Sequence, residues 1–335
     1  MRSMGNSSMF WNRVRRSALV LAGFSLAGLM GLTVLSLFAR HGWMAELASH
    51  FRPQYFLLLL ALCAGFAVAR RPLLALLAAA AMLPNGWYVV PYALPALITP
   101  SIASSSGHDV SIVTLNLFVS NDDYAAVRSY LAQKNADVLV LSELTPTWVV
   151  ELRDITADYP YWVSVDRRTP WGLGVYSKYP LKDARPVDLG LAGSVNVIAT
   201  VAFPGGDVQL VGAHLASPTS PARAVQRNDQ LEQLSALLGP ARKRTDASSP
   251  RRLLVGDLNL TPFSPYFGEL LARTGMVDAR RQQGWSATWP TWGPPVGIAI
   301  DHCIVDPDLP VTNVARGPAV GSDHYPIEIA LRQRG

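Results

Sequence analysis

The residues Leu253-Leu254-Val255-Gly256-Asp257-Leu258-Asn259-Leu260 form an apolar run closed by a glycine, with an aspartate and an asparagine two apart just beyond it. In a β-strand, residues i and i+2 point to the same face, so Asp257 and Asn259 are expected to project together from a strand end. One would supply a carboxylate and proton acceptor, the other an amide. Gly256 lets a backbone or a ligand approach closely. An isolated Asp-x-Asn would read as a strand ending in a polar turn. Four further polar clusters share this setting at the end of an apolar run: Asn116, Glu143, His214 and Ser322-Asp323-His324.

Together these positions make an oxygen-rich set. Glu143, Asp257 and Asp323 are carboxylates, Asn116 and Asn259 are amides, and His214 and His324 are imidazoles. Such sets suit hard cations, Mg²⁺ or Mn²⁺, rather than zinc. A cation, neutral amides, histidines and a spare aspartate are what metal-assisted attack of water on a phosphate requires. Each residue alone has a simpler explanation, such as a turn cap or a solvated strand end. The set, in this order, favours chemistry.

Half of the 335 residues are hydrophobic and only 16% are charged. The mean hydropathy of +0.19 is too high for a soluble enzyme of this size, and the excess is confined to the N-terminal third. No charged side chain occurs from Ser17 to Ala39, from Pro53 to Ala69, or from Pro72 to Gly107. A bilayer needs roughly 20 apolar residues per helix. Three transmembrane helices are therefore expected, at about 17–39, 53–69 and 72–94, within a membrane anchor spanning 1–100. A cleaved secretory signal is the alternative for the first, but its apolar run is too long and two more follow. Pro84-Asn85-Gly86 interrupts the third, which could be kinked, with Trp87, Tyr88 and Tyr92 at an interface.

Arg2, Arg13, Arg15 and Arg16 precede the first helix, and Arg70-Arg71 separate the second from the third. The positive-inside rule places both groups in the cytoplasm, so three crossings deliver the remainder of the chain outside the cell membrane. Residues 1–106 hold eight arginines and one acid, a balance of +7; the rest balances at −2. The basic character thus belongs to the anchor. A nucleic-acid-binding domain usually carries a clear basic excess, and this one does not. Cys63 and Cys303 are the only cysteines, far apart in sequence, so neither a disulfide framework nor a thiolate metal site is expected.

A small polar linker, 101–108, leads into a domain spanning 109–335. Strands are expected at 110–115, 138–141, 161–165, 173–177, 195–203, 208–214, 298–305 and 325–331. A helix near Asp122–Lys134 would be capped by Asn121, a short one would follow Pro146, and another would open at Ser220-Pro221 and stop at Gly239-Pro240. The basic run Arg242-Lys243-Arg244…Arg251-Arg252 reads as a solvated loop, with contact to acidic lipid headgroups as the minor reading. Strands and helices alternate first and strands dominate later, which fits a layered α/β sandwich with mixed sheets.

The order Asn116, Ser142-Glu143, Gly212-Ala213-His214-Leu215, Gly256-Asp257-Leu258-Asn259, Ile300-Asp301-His302, Gly321-Ser322-Asp323-His324-Tyr325-Pro326 resembles the endonuclease/exonuclease/phosphatase superfamily, with the deoxyribonuclease-I-like fold. Leu173 to Leu181 and Thr288-Trp289-Pro290 resemble further segments of that family, and the likeness covers about 109–333. It implies an α/β (α+β) four-layer sandwich of two mixed β-sheets flanked by helices, here preceded by three transmembrane helices. It implies a Mg²⁺- or Mn²⁺-dependent hydrolase of phosphoric esters. Glu143 would be the principal metal carboxylate, with Asn116 and Asp323 beside it. Asp257 would orient or deprotonate water, and Asn259 would hold the phosphate or that water. His324 would contact the scissile phosphate with its ring set by Asp301, and His214 would lie near the leaving oxygen. Ser142 stands where many members have glutamine. His302 stands where tyrosine is common and reads as structural, and His41, His50 and His108 as loop or linker residues.

The family includes nucleases, inositol-phosphate phosphatases, sphingomyelinases and membrane-anchored bacterial lipid-pyrophosphate phosphatases, so the fold leaves the substrate open. Tethering beside a bilayer favours a lipid-linked phosphate or pyrophosphate. The alternatives are an extracytoplasmic nuclease acting on DNA or RNA, and a non-catalytic scaffold, which the complete residue set disfavours.

Overall fold

The computed structural model describes residues 4–94, 109–191, 193–240, 249–282 and 284–332. The 101–108 linker, His108 and the Arg242-Lys243-Arg244 half of the basic run lie outside the described residues. The chain divides into two compact units, Met1–Val90 and Pro91–Gly335.

In the first unit, four helices form: α1 (Met4–Leu37), α2 (Trp43–Ser49), α3 (Arg52–Val68) and α4 (Pro72–Ala93). Two stretches, Phe10–Leu37 and Pro72–Ala93, are long and apolar enough to cross a membrane. The expected middle span is instead a pair, α2 and α3, bent by 61°. The 17 residues of α3, at about 1.5 Å each, fall short of a hydrocarbon core roughly 30 Å thick. Two spans, or three if the bent pair counts as one, therefore replace the expected three. Pro84-Asn85-Gly86 does not break α4. The Asn85 side chain instead donates to Thr33 Oγ1 of α1 at 2.9 Å and to the Ala81 carbonyl at 3.1 Å.

In the second unit the polar-apolar alternation of the strands builds four layers. The first sheet comprises β1 (Asp109–Asn116), β2 (Val138–Ser142), β3 (Tyr161–Val165), β4 (Leu173–Ser177), β11 (Val311–Arg316) and β12 (Ile327–Arg332), in the order β11-β12-β1-β2-β4-β3. The second comprises β5 (Leu181–Val187), β6 (Asn196–Phe203), β7 (Gly206–His214), β8 (Arg251–Asp257), β9 (Val277–Asp278) and β10 (Asp301–Val305), in the order β5-β6-β7-β8-β10-β9. Each sheet has one parallel pair at its centre, β1 with β2 and β7 with β8, and antiparallel neighbours outside it.

Alternation decides which residue faces where. Val110, Ile112, Val138, Val140, Leu210, Leu253, Val255 and Cys303 meet in the core between the sheets. Val113, Leu115, Leu139 and Leu141 point the other way, onto α5 (Tyr124–Lys134) and α6 (Pro146–Glu151). Val211, Ala213 and Leu254 likewise turn outward, onto α8 (Pro221–Leu238) and α9 (Pro265–Thr274); the four-residue α7 (Arg153–Thr156) completes the helices. Two mixed sheets flanked by helices are the expected architecture.

Two local expectations need correction. The helix α5 is capped by Asp123, whose carboxylate accepts the Ala126 N–H at 3.1 Å, while Asn121 accepts the Asp123 N–H instead. Arg251 and Arg252 belong to β8, not to a solvated loop. Arg252 is fully buried, forked onto Asp306 at 2.6 and 2.9 Å, and also donates to the carbonyls of Leu238, Gly239 and Thr274. A guanidinium carries five donors in a fixed plane, and here carboxylate and helix-end carbonyls absorb them. Arg251, half-buried, meets Asp308 at 3.2 Å.

Candidate active site

The inward-facing alternation of the strands continues past the apolar core and ends in polar side chains. In β8 the series Leu253, Val255 leads to Asp257; in β7, Leu210 and Gly212 lead to His214; in β10, Asp301 precedes Cys303. In β1, Val110 and Ile112 lead through Thr114 to Asn116. Register completes the placement, because Asp257 pairs with His214 on one side and Asp301 on the other. Three of the expected residues thus occupy one rung of the second sheet, and Asn116 faces them from the first.

Gly256 makes this rung possible. Its φ is +126°, and a Cβ there would sit 2.1 Å from the Ala213 carbonyl oxygen. Only glycine tolerates both conditions. The strand then ends at Asp257, so Asn259 lies beyond it rather than on the same strand face as expected. Asn259 adopts a left-handed φ of +53° and does not follow the strand alternation. Its N–H donates to Asp257 Oδ1 and its Nδ2 to the Leu215 carbonyl, both at 2.9 Å. Asn259 therefore braces the turn that presents Asp257.

Glu143 follows β2 with φ +55°, a costly conformation for a non-glycine residue that marks functional sites. Two donors fix its carboxylate: the Val119 N–H at 2.7 Å and Asn116 Nδ2 at 3.1 Å. Asn116 also donates to Asp257 Oδ2 at 3.2 Å, and its own Oδ1 accepts the Phe118 N–H at 3.0 Å. Its amide thus links the carboxylates of the two sheets. Ser322, in the loop before β12, donates to the Asn116 carbonyl at 2.6 Å and accepts the His324 N–H at 3.0 Å.

The two histidines are held by their Nδ1 atoms. His324 Nδ1 donates to Asp301 Oδ2 at 3.0 Å, and His214 Nδ1 to the Pro170 carbonyl at 3.1 Å. Both Nε2 atoms then face the same space. His324 Nε2 lies 3.7 Å from Asp257 and 3.9 Å from Asp323; His214 Nε2 lies 3.7 Å from Asp257 and 3.9 Å from Glu143. These separations exceed hydrogen-bonding distance, so neither Nε2 is committed to a carboxylate. Asp323 Oδ2 accepts Trp289 Nε1–H at 2.9 Å, whereas its Oδ1 is buried without a hydrogen-bond partner.

Burial and proximity set the charges. Burial favours a neutral His324, but Asp301 and Asp257 outweigh it and raise its pKa to about 10. Burial would raise Asp301, yet the His324 charge pulls it below the usual carboxylate range. Burial and the neighbouring His324 charge lower His214 to about 4. Glu143, Asp257 and Asp323 are all pushed up, chiefly by burial. Carboxylates crowded in this way favour a cation among them.

All eight expected site residues, Asn116, Glu143, His214, Asp257, Asn259, Asp301, Asp323 and His324, lie in this one network. Asp257, Asp301 and His324 present ligand atoms within 4.8 Å of one another and could hold a metal ion. His302 is apart from it: buried, bonded to the Leu260 carbonyl at 2.8 Å and packed on Phe267. His41 and His50 belong to the first unit. Of three supporting residues, Asn196 and Arg280 carried no sequence signal, while Thr288 lies in the Thr288-Trp289-Pro290 segment. Asn196 Oδ1 accepts the His214 N–H at 2.9 Å, Thr288 Oγ1 accepts the N–H groups of Ile300 and Asp301, and Arg280 donates to the Asp301 carbonyl.

A model of the Endonuclease/Exonuclease/phosphatase family matches residues 113–324, from within β1 to His324. No curated protein matches. Among solved structures, D. rerio TDP2 humanized by 14 mutations is similar at a TM-score of 0.56 and 20% identity, over 67% of this chain and 99% of that one. An endonuclease/exonuclease/phosphatase from Beutenbergia cavernae gives 0.53 and 21%, over 68% and 72%. A functionally unknown conserved protein from Enterococcus faecalis gives 0.54 and 16%, over 67% and 100%. At these identities the likeness is one of fold.

Proposed function

The chain belongs to the endonuclease/exonuclease/phosphatase family, and from that premise we propose that it is a membrane-tethered phosphoesterase. It would depend on Mg²⁺ or Mn²⁺ and hydrolyse a phosphate ester, phosphodiester or pyrophosphate carried on a lipid. Members of the family are phosphoester hydrolases and commonly use divalent metals. The observation that carries the reading is the convergence of Glu143, Asp257 and Asp323 on the two Nε2 atoms, with four Nε2–carboxylate separations of 3.7 to 3.9 Å.

The donor set fits a hard cation. Asp323 Oδ1 is buried and unsatisfied, and Glu143 is fixed and raised in pKa by burial. Glu143 and Asp323 would hold the cation rather than Asp257, Asp301 and His324, because the Asp301–His324 hydrogen bond already engages two of those three. Asn116, whose amide N–H groups face the carboxylates, positions the Glu143 ligand rather than coordinating. When bound, the cation neutralises charge that builds on the phosphoryl oxygens.

The chain's own residues do the rest. Asp257, once ionised, accepts a proton from the attacking water, and Asn116 and the Asn259 N–H hold its two oxygens apart for that task. The His324 imidazolium donates from Nε2 to a non-bridging phosphoryl oxygen, while Asp301 fixes the ring and keeps it charged. His214 faces the leaving oxygen. The lipid assignment is supported by two helices able to cross a membrane in the same chain, which would give the site a high effective concentration of headgroups. The balance of −2 over residues 107–335 gives no electrostatic reason to prefer nucleic acid.

The test is a substrate panel with full-length protein in detergent or nanodiscs: phospholipids, a polyprenyl diphosphate, plasmid DNA and RNA, each with Mg²⁺ or with chelator. Cation-dependent turnover of a lipid substrate, lost in Glu143→Ala, is the expected result. Degradation of nucleic acid without lipid turnover would overturn the lipid assignment.

A further inference from the structure

Neither Trp171 nor Arg223 takes part in the chemistry above, yet together they form a stack on His214. The Trp171 ring lies against the imidazole with centroids 5.5 Å apart and planes 34° from parallel. On Trp171 lies the Arg223 guanidinium, 5.0 Å from the ring centroid. Both residues are half-buried and anchored through their main chains. The Trp171 carbonyl accepts the Val195 N–H at 2.9 Å, and Arg223, in the first turn of α8, gives its backbone N–H to Ser220 Oγ at 3.3 Å. Unlike Arg251 and Arg252, Arg223 has no carboxylate partner among the described residues. A guanidinium lying over an aromatic ring without a carboxylate partner still has N–H donors to give an oxyanion, and phosphate is the geometry its fork matches.

We propose that Arg223 binds an anionic leaving group, a second phosphoryl group joined to the one under attack, so that the site prefers diphosphate esters. This rests on reading the site as a phosphoesterase. An alkoxide leaving from a simple ester needs a proton or a cation in contact with it. A leaving phosphate is already a stable anion and needs mainly a positive neighbour. On the His214 side the imidazole N–H at Nδ1 is committed to the Pro170 carbonyl, whereas Arg223 offers a permanent charge. In the step, the water oxygen bonds to the terminal phosphorus and one water proton passes to Asp257. The bond from that phosphorus to the bridging oxygen breaks, and its electron pair leaves with the organic monophosphate held by Arg223. Inorganic phosphate is the other product.

The experiment compares full-length wild type, Arg223→Ala and Arg223→Lys with Mg²⁺ on four probes. These are farnesyl diphosphate, farnesyl monophosphate, ADP and bis-p-nitrophenyl phosphate. The first and third separate a lipid-borne from a soluble diphosphate; the second and fourth lack the second phosphoryl group. Loss of one charge-assisted contact is worth about 10- to 100-fold. Arg223→Ala is expected to raise KM for farnesyl diphosphate by that factor, at least tenfold more than for either probe lacking the second group, with partial recovery in Arg223→Lys. Calorimetric binding of methylene diphosphonate should weaken in parallel. Equal losses on all four probes, or unchanged handling of the diphosphates, would overturn the role of Arg223 while leaving the phosphoesterase standing. A wild type that hydrolyses none of the four with any divalent cation would overturn both.

Discussion

At the scale of single residues, Asp301 and His324 act as one unit. Asp301 touches only the far side of the imidazole, so its effect on a substrate must pass through the ring. His324→Ala and Asp301→Ala are each expected to lower kcat by roughly 10²–10⁴-fold. The double variant should lose little more than His324→Ala, since members of one unit are not additive; multiplicative losses in steady-state kinetics would separate the two. The pH behaviour has a definite sign. With its pKa raised, His324 stays charged from acid through neutral pH and loses its proton only near 10. Asp301→Asn removes the largest influence holding it up and leaves burial, which favours the neutral ring, opposed only by Asp257 and Asp323. The titration of the His324 ring, followed by NMR, should then move down from about 10. A second single-residue test concerns Arg252. A buried charge pair broken on one side costs about 3–5 kcal/mol, so Arg252→Ala should lower the denaturation midpoint sharply, and an unchanged midpoint would contradict the buried fork with Asp306.

At the scale of elements, the site is the place where inward-facing strand positions run out of core. Gly256→Ala tests this directly. The added Cβ would press on the Ala213 carbonyl that carries β7, and φ would be unfavourable for alanine. A loss of at least about 2 kcal/mol of stability is expected, together with loss of activity, because β7 and β8 carry His214 and Asp257. A fully active, equally stable variant would show that the rung tolerates separation. The same alternation explains what was legible in the sequence. The apolar runs ending at Asn116, Ser142, His214 and Asp257 announce strands and the polar side chains at their tips. What the pattern could not show is where a strand stops: Asn259 looked like the next inward position, and its left-handed φ comes from a turn held by Leu215 and Asp257. Edge strand β5 was missed because Lys182, Asp183, Arg185 and Pro186 suit an exposed sheet edge and erase the apolar signal. The α9 helix is legible in the sequence, for Ser264-Pro265 repeats the cap signal that opens α8 at Ser220-Pro221. Arg252 misled because a basic run suggests solvent, and only the register of β8 brings Asp306 to it.

At the scale of the whole molecule, the number of crossings decides on which side of the membrane the chemistry occurs. Arginines at positions 13, 15 and 16 precede the apolar part of α1 and those at 70 and 71 follow the α2–α3 pair, and the charge rule favours the cytoplasm for both groups. Both groups on the same side require α1 and the pair together to make two full crossings. With α1 and α4 alone crossing, the N-terminus and the hydrolase domain share a side, and the stretch at Arg70-Arg71 lies opposite. With the bent pair as a further span, Arg70-Arg71 returns to the side of the N-terminus and the domain lies opposite both. The second arrangement satisfies the charge rule at both basic groups, whereas the first sends Arg70 and Arg71 outward. Three crossings are therefore expected, with α2 and α3 jointly covering the thickness that α3 alone does not reach. Reporters active on only one side of the membrane, fused after Arg71 and after Gly335, give the answer. Opposite signals, with the Arg71 fusion reporting the cytoplasm, are the expected outcome and place the site where outer-leaflet headgroups can reach it. A cytoplasmic Gly335 fusion with an external Arg71 fusion would mean two crossings, and a lipid substrate would then have to present its phosphate from the inner leaflet.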